Sequence, residues 1–248
     1  MNTIANAALT GALFTAALTA GPVAAGSLQF FANGEALATE GFQAPERTRD
    51  GWTLEFEHIF VTLSEVTAYQ TNPPFDAHQG GPMQATQTVV LQEIHTVDLV
   101  ADADDEARVL VAQVAAEPGH YNALSWRLVV AGEGPSAGTS MLFIGTATRD
   151  GQSVPFRIEV SDEVGYLCGE YVGDERKGFV TAGAIADLEM TFHLDHIFGR
   201  EDKSADDPMN LAAPGFGPFS DGAERHALSL AGLHVGHVGE GHCKVVQD

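Results

Sequence analysis

The sequence predicts an all-β protein, a β-sandwich carrying one short C-terminal helix. Three observations carry that prediction. Apolar residues recur with period two in short runs. Turn dipeptides such as Asn33-Gly34, Asp50-Gly51 and Asp150-Gly151 separate those runs. Long helical periods are scarce in a chain holding 27 glycines and 11 prolines. With 248 residues and 44% hydrophobic content, the chain has material for one sizeable core.

Residues 1–34 lack any charged side chain, and Ile4–Ala20 is moderately apolar. Val23-Ala24-Ala25 then offers the small residues a signal peptidase needs, so 1–25 reads as an export signal and 26–248 as a single domain. Ile4–Ala20 is short and threonine-rich for a membrane span. The product is expected in the periplasm as a soluble protein, without membrane insertion once the signal is removed.

Ser27–Phe31 reads as the first strand. Trp52, Leu54, Phe56, His58 and Phe60 alternate with Thr53, Glu55 and Glu57. The apolar register then passes to Val61, Leu63 and Val66, which implies a bulge near Ile59. Asn72–Gln87 is a loop without periodicity; Thr88–Leu91, Ile94–Val100 and Val109–Val114 are short strands. Pro118-Gly119 turns the chain into Tyr121–Val130, where Leu124, Trp126 and Leu128 alternate. Met141–Ala147 and Val154–Val160 form a hairpin across Asp150-Gly151.

Gly165–Gly183 is a glycine-rich approach to the most informative stretch, Asp187–Gly199. There Leu188, Met190, Phe192 and Leu194 fall on one face of a half-buried strand, and Glu189, Thr191, His193 and Asp195 on the other. Beyond Gly199 the chain turns acidic. Asp221 and Glu224 suggest a capping box, and Ala223–Ala231 a short helix ended by Gly232.

Twelve basic against 34 acidic residues give a formal charge of −22, which repels nucleic acid and anionic membranes. The sequence has two cysteines, Cys168 and Cys243, and in an exported protein these are expected to pair. Thiolate ligation is the competing reading, since Cys243 follows His242 directly. Gly134-Pro135-Ser136-Ala137-Gly138 matches the nucleophile-elbow string, but strands flank a proline-containing loop there, so hydrolase chemistry is not implied.

The ten histidines carry the functional signal. His58, His193 and His196 sit on strands, while His234, His237 and His242 crowd the tail beside Cys243. Imidazole and carboxylate donors suit a transition metal, with zinc or copper favoured and Asp195 as a ligand or an orienting group. His193 and His196 have opposite parity on an ideal strand, so both can reach one ion only if the strand ends or bulges at Asp195. His58 and His242 are expected to complete the shell. Glu201, Asp202, Asp206, Asp207 and Asn210 offer oxygen ligands for calcium as a secondary reading. His78, His95, His120 and His226 are expected to be exposed bystanders. Metal acquisition, buffering or delivery without catalysis is the expected role, with a metal transporter or another periplasmic metal-handling protein as partner. A structural interaction module, or a metalloenzyme using Glu57 or Glu189 as base, are the alternatives.

Several strings resemble a set of uncharacterised exported bacterial proteins: Asp50-Gly51-Trp52, Val61-Thr62-Leu63, Gly119-His120-Tyr121-Asn122-Ala123-Leu124-Ser125-Trp126, Gly173–Gly178, Thr191–Gly199 and Val238-Gly239-Glu240-Gly241-His242-Cys243. More remotely, the order of strands is similar to prealbumin-like and immunoglobulin-like domains of secreted proteins. It is also similar to copper-associated periplasmic proteins encoded beside di-haem peroxidases. The tryptophan and cysteine patterns of the copper-associated group are missing.

Overall fold

The computed structural model describes residues 25–43, 49–169, 177–200, 203–204, 206–238 and 242–246; the export segment expected over 1–25 lies outside these apart from Ala25. Fifteen strands occur among the described residues. In order they are β1 (Gly26–Asn33), β2 (Thr53–Thr71), β3 (Ala85–Val90), β4 (His95–Asp98), β5 (Arg108–Ala116), β6 (Gly119–His120), β7 (Ala123–Leu128) and β8 (Met141–Arg149). They continue as β9 (Gln152–Val160), β10 (Val164–Gly169), β11 (Phe179–Val180), β12 (Ile185–Phe192), β13 (His226–Ala227), β14 (Gly236–His237) and β15 (His242–Val246). Three short α-helices, α1 (Glu35–Thr39), α2 (Asp195–Phe198) and α3 (Pro208–Ala212), and one 3-10 turn at Gly217–Phe219 complete the set.

Two sheets pack against each other and no barrel closes, so the molecule is an all-β sandwich. The smaller sheet runs β14-β12-β1-β5; the larger runs β13-β9-β8-β2-β7-β10-β15, with β3 and β4 also pairing with β2. A two-stranded pair, β11-β6, stands apart. Strand β1 alternates buried and half-buried residues without a break, the period-two pattern of a strand with one face on the core. It lies parallel to β12, in register Phe30↔Leu188, and antiparallel to β5.

Nineteen residues make β2 the spine of the large sheet, and two register shifts let it bend. The first falls between Phe56 and His58. It carries the inward register from Leu54 to Ile59, Val61 and Leu63, all fully buried. The bulge inferred near Ile59 is therefore present, and it turns His58 outward. Rings of Phe42, Phe56 and Phe143 surround Phe198 at centroid distances of 5.4, 5.7 and 5.8 Å, which fixes α2 against the large sheet. Offset and edge-on aromatic contacts of this length are favourable beyond the area they bury.

Strand β12 is buried on both faces, not on one as the sequence suggested. Its polar face is covered: Glu189, 6% exposed, accepts hydrogen bonds from Asn33 Nδ2 (3.0 Å), Lys177 Nζ (3.0 Å) and Thr191 Oγ1 (3.2 Å). The glycine-rich approach also hides a strand. Gly169 pairs with His242 and Ala123 within β10, and it is glycine because a Cβ there would lie 2.0 Å from the Phe75 carbonyl oxygen. The helix expected at Ala223–Ala231 is absent; those residues form β13 and loops, and α3 lies earlier in the chain. The Asp221 carboxylate accepts from the Ala223 amide in a turn with Gly222 at φ 78°, and His226 then pairs with Ile158 of β9. Cys168 and Cys243 face each other across β10 and β15 and form the disulfide.

Candidate functional site

Strand β12 ends at Phe192, and the chain turns into α2. That turn resolves the parity conflict between His193 and His196. Residues three apart on a helical turn share a face, and the two rings lie nearly parallel with centroids 5.5 Å apart. Strand β14 then brings the tail alongside: His237 pairs with Thr191, Gly236 with Phe192, and the His193 amide donates to the Val235 carbonyl at 2.8 Å. Gly236 is required here, since a Cβ would sit 2.6 Å from the Tyr166 ring. His234 and His237 are also three residues apart, with centroids 4.7 Å apart. His237 lies 4.4 Å from His193 and 5.9 Å from His196.

Two of these rings are aimed by acceptors behind them. His193 Nδ1 is 3.2 Å from Glu35 Oε2, and His196 Nδ1 is 2.6 Å from the His234 carbonyl oxygen. Carboxylate and carbonyl oxygens only accept, so in their neutral forms both rings carry the proton on Nδ1 and keep the Nε2 lone pair. The lone pair of His196 accepts a hydrogen bond from Arg200 Nη1 at 3.0 Å. Arg200 Nη1 is also 3.4 Å from Asp195 Oδ2, whose sister atom Oδ1 is buried without a hydrogen-bond partner among the described residues. His234 Nε2 is buried in the same condition.

The electrostatics divide the rings. Burial disfavours the charged form of His193, but the hydrogen bond and charge of Glu35, aided by Asp195, outweigh it and raise the pKa. Burial lowers His196, with His193 and Arg200 adding to the effect against Asp195 and the His234 carbonyl. It also lowers His234, helped by the charges of His196, His193 and His242. Beside the rings opens a pocket of about 330 Å³, lined by His196, His234, His237 and Arg200 and walled by apolar Met209 and Leu233.

The four-ligand shell expected from His58, His193, His196 and His242 is not what the fold gathers. His58 stands on β2 of the other sheet, where Asp98 Oδ2 lies 2.6 Å from its Nδ1 and Phe60 stacks on it at 5.3 Å. Asp98 also accepts from the amides of Ile59 and Val100, both at 3.1 Å, which ties His58 into a structural network. His242 is exposed on β15 and packs on His78 at 4.0 Å, because Cys243 takes the inward position for the disulfide. His234 and His237 join the cluster. Among the expected bystanders, His226 is buried against Phe219, with 8% of its side chain exposed.

Glu35 and Arg200 are the residues that sequence reasoning missed. Arg200 follows His196 by four, a spacing that could have flagged it. Glu35 has no local signal: it reaches His193 through the parallel β1–β12 pairing. The calcium reading loses its best amide. Asn210 spends Oδ1 on the Arg200 amide (2.7 Å) and Nδ2 on three carbonyls, while Asp207 caps α3. Glu201 and Asp202 lie outside the described residues. Glu189, already paired with Lys177, offers no free base for catalysis. Among the described residues, no group of three or more His, Cys, Asp or Glu side chains is placed so that it could hold a metal ion. No described helix is long and apolar enough to cross a membrane.

Fold and site together define an all-β sandwich with a histidine cluster at the end of one buried strand. Set against family models, curated proteins and solved structures, the chain gives no match, and the resemblance drawn above stands on its motifs alone.

Proposed function

We propose that this is an exported, non-catalytic transition-metal-binding protein, serving acquisition, buffering or delivery. Its ion would be held by His193, His196 and His237, with His234 beside them. The carrying observation is the pair of rings anchored through Nδ1 on Glu35 and on the His234 carbonyl. Metal-bound histidines characteristically direct their second nitrogen to such an acceptor. Spacing supports the same reading. Three imidazoles on one tetrahedral ion with bonds of about 2.0–2.1 Å place their centroids roughly 5 Å apart; the separations here are 5.5, 4.4 and 5.9 Å. Closing a shell requires side-chain rotation and the departure of Arg200 from His196. The disulfide is consistent with an oxidising compartment.

A second reading, an interaction module without metal, is favoured by one observation: Arg200 already donates to the His196 lone pair. Metal analysis of protein purified without a histidine tag, followed by zinc and copper titration of the chelator-treated protein, separates the two. Stoichiometric binding that is lost in His193→Ala supports the metal reading. Absence of any binding above background supports the second.

A further inference from the structure

We propose that the pocket beside the histidine cluster binds a neutral, planar two-ring aromatic molecule bearing one hydroxyl group, stacked on His234 and His237. No ion takes part in this binding, so it stands apart from the metal reading. A column of planar side chains leads from the core to the pocket. Trp126 stacks on Tyr166 with centroids 5.1 Å apart, Tyr166 on His234 at 6.2 Å and 5°, and His234 on His237 at 4.7 Å. These spacings lie in the range where aromatic pairs attract. Trp126 and Tyr166 are each 1% exposed, which fixes the column at its inner end. His234 and His237 line the pocket, and a flat ring entering there extends the same stack.

Volume sets the size of the guest. A dry cavity of about 150 Å³ accommodates benzene, and this pocket of about 330 Å³ has room for two fused rings. Met209, Ala212 and Leu233 give it an apolar wall suited to a hydrocarbon body. Met209 is 45% exposed there, and a thioether is a favourable neighbour for an aromatic edge. Charge selects a neutral guest. The chain carries a formal −22, and Arg200, the cation of the lining, is bonded to His196 and paired with Asp195 among its partners. An entering anion has to break such contacts, whereas a neutral ring leaves them in place. The hydroxyl answers His234 Nε2, which is buried without a hydrogen-bond partner among the described residues. A hydroxyl both donates and accepts, so it pairs with that nitrogen in either tautomer once the imidazole turns toward the pocket.

The test is titration of the full chain, with a chelator kept in the buffer, by β-naphthol, naphthalene and β-naphthoate, followed by calorimetry and by NMR of the histidine ring protons. β-Naphthol is expected to bind at one site and to shift the His234 and His237 resonances. Naphthalene has the same rings without the hydroxyl and should bind about tenfold more weakly, the measure of one net hydrogen bond. β-Naphthoate should bind no better than naphthalene. His234→Phe keeps a stacking ring and should bring β-naphthol down to the naphthalene level. Ala212→Trp fills the pocket from an exposed position on α3 and should abolish binding; if it melts early, Met209→Trp takes its place. The proposal is overturned if β-naphthol fails to bind, leaves both histidines unshifted or survives pocket filling. It is equally overturned if naphthalene or β-naphthoate matches β-naphthol, or if His234→Phe changes nothing. Each of these failures leaves the metal reading untouched, because no free zinc is present; zinc titration without β-naphthol decides that reading separately.

Discussion

His196 donates its Nδ1 proton to the backbone carbonyl of His234 at 2.6 Å, so one histidine of the cluster is aimed by the main chain of another. The link is between segments 38 residues apart in sequence, and it ties the turn after β12 to the tail that supplies His237. Neither segment presents this site without the other.

The first prediction follows from that division of labour. His193→Ala, His196→Ala and His237→Ala should each weaken zinc binding by about 100-fold or more, beyond the loss typical of an orienting residue. His58→Ala and His242→Ala should keep unmodified affinity, since Asp98 and His78 are their partners. Calorimetric titration decides it. Loss of zinc binding in His58→Ala would restore the shell expected from sequence alone.

Glu35 should tune the pH response. Its carboxylate overcomes burial and raises the His193 pKa, so on acidification His193 protonates before His196 and His234, whose pKa values are lowered, and competes with the ion ahead of them. In Glu35→Gln burial acts with less opposition. The pH midpoint of zinc release should move down, while affinity at high pH falls roughly tenfold through loss of the orienting bond. Proton-detected NMR titration of the ring resonances, with zinc competition across pH, reads both effects.

Stability of the metal-free protein should fall as pH drops below about 6.5, the ordinary histidine value. The His196, His234 and His120 pKa values are lowered in the fold by burial, so the unfolded chain binds protons there first. Their stabilisation is present above the unfolded value and lost on acidification. His193 has the opposite sign: its contribution is full below the unfolded value and fades as pH rises through the folded one. Urea midpoints between pH 7.5 and 5 test the balance, and His193→Ala should steepen the acid loss.

Reduction of the Cys168–Cys243 bond, or Cys243→Ser, should lower the urea midpoint. The bond closes a loop with a sequence separation of 75, worth up to about 4 kcal/mol in the chain-entropy account. An unchanged midpoint after confirmed reduction would contradict it.

Phe198→Ala should cost about 3–5 kcal/mol, as for other fully buried aromatic rings. Because Phe198 anchors α2, the turn that carries His196, the variant should also lose zinc affinity at temperatures where it remains folded. A stability loss with intact zinc binding would uncouple the core from the cluster.

The strand framework was legible because period two is a short-range signal, clear in Leu188, Met190 and Phe192. The site was half legible for the same reason. His193 and His196 announced themselves, and so did the need for the strand to end near Asp195. His58 misled because the bulge falls before it instead of after it, and one residue of slip reverses a side chain. Strand β10 was obscured by Gly165 and Gly169, which read as loop, although at Gly169 the Phe75 backbone leaves no room for a side chain. Glu35 was out of reach, for it meets His193 only through a pairing of distant strands.

That pairing has a consequence in time. Asn33 and Glu189, joined across β1 and β12, are 156 positions apart. At about 5–20 residues per second, synthesis separates them by roughly 10–30 s. Throughout that interval β1 has its β5 partner at best, and its other edge stands open to any neighbouring chain. A chain that began to fold before its last third was in place would leave that edge unpaired. The histidine cluster, built from residues of that last third, is among the final features to form.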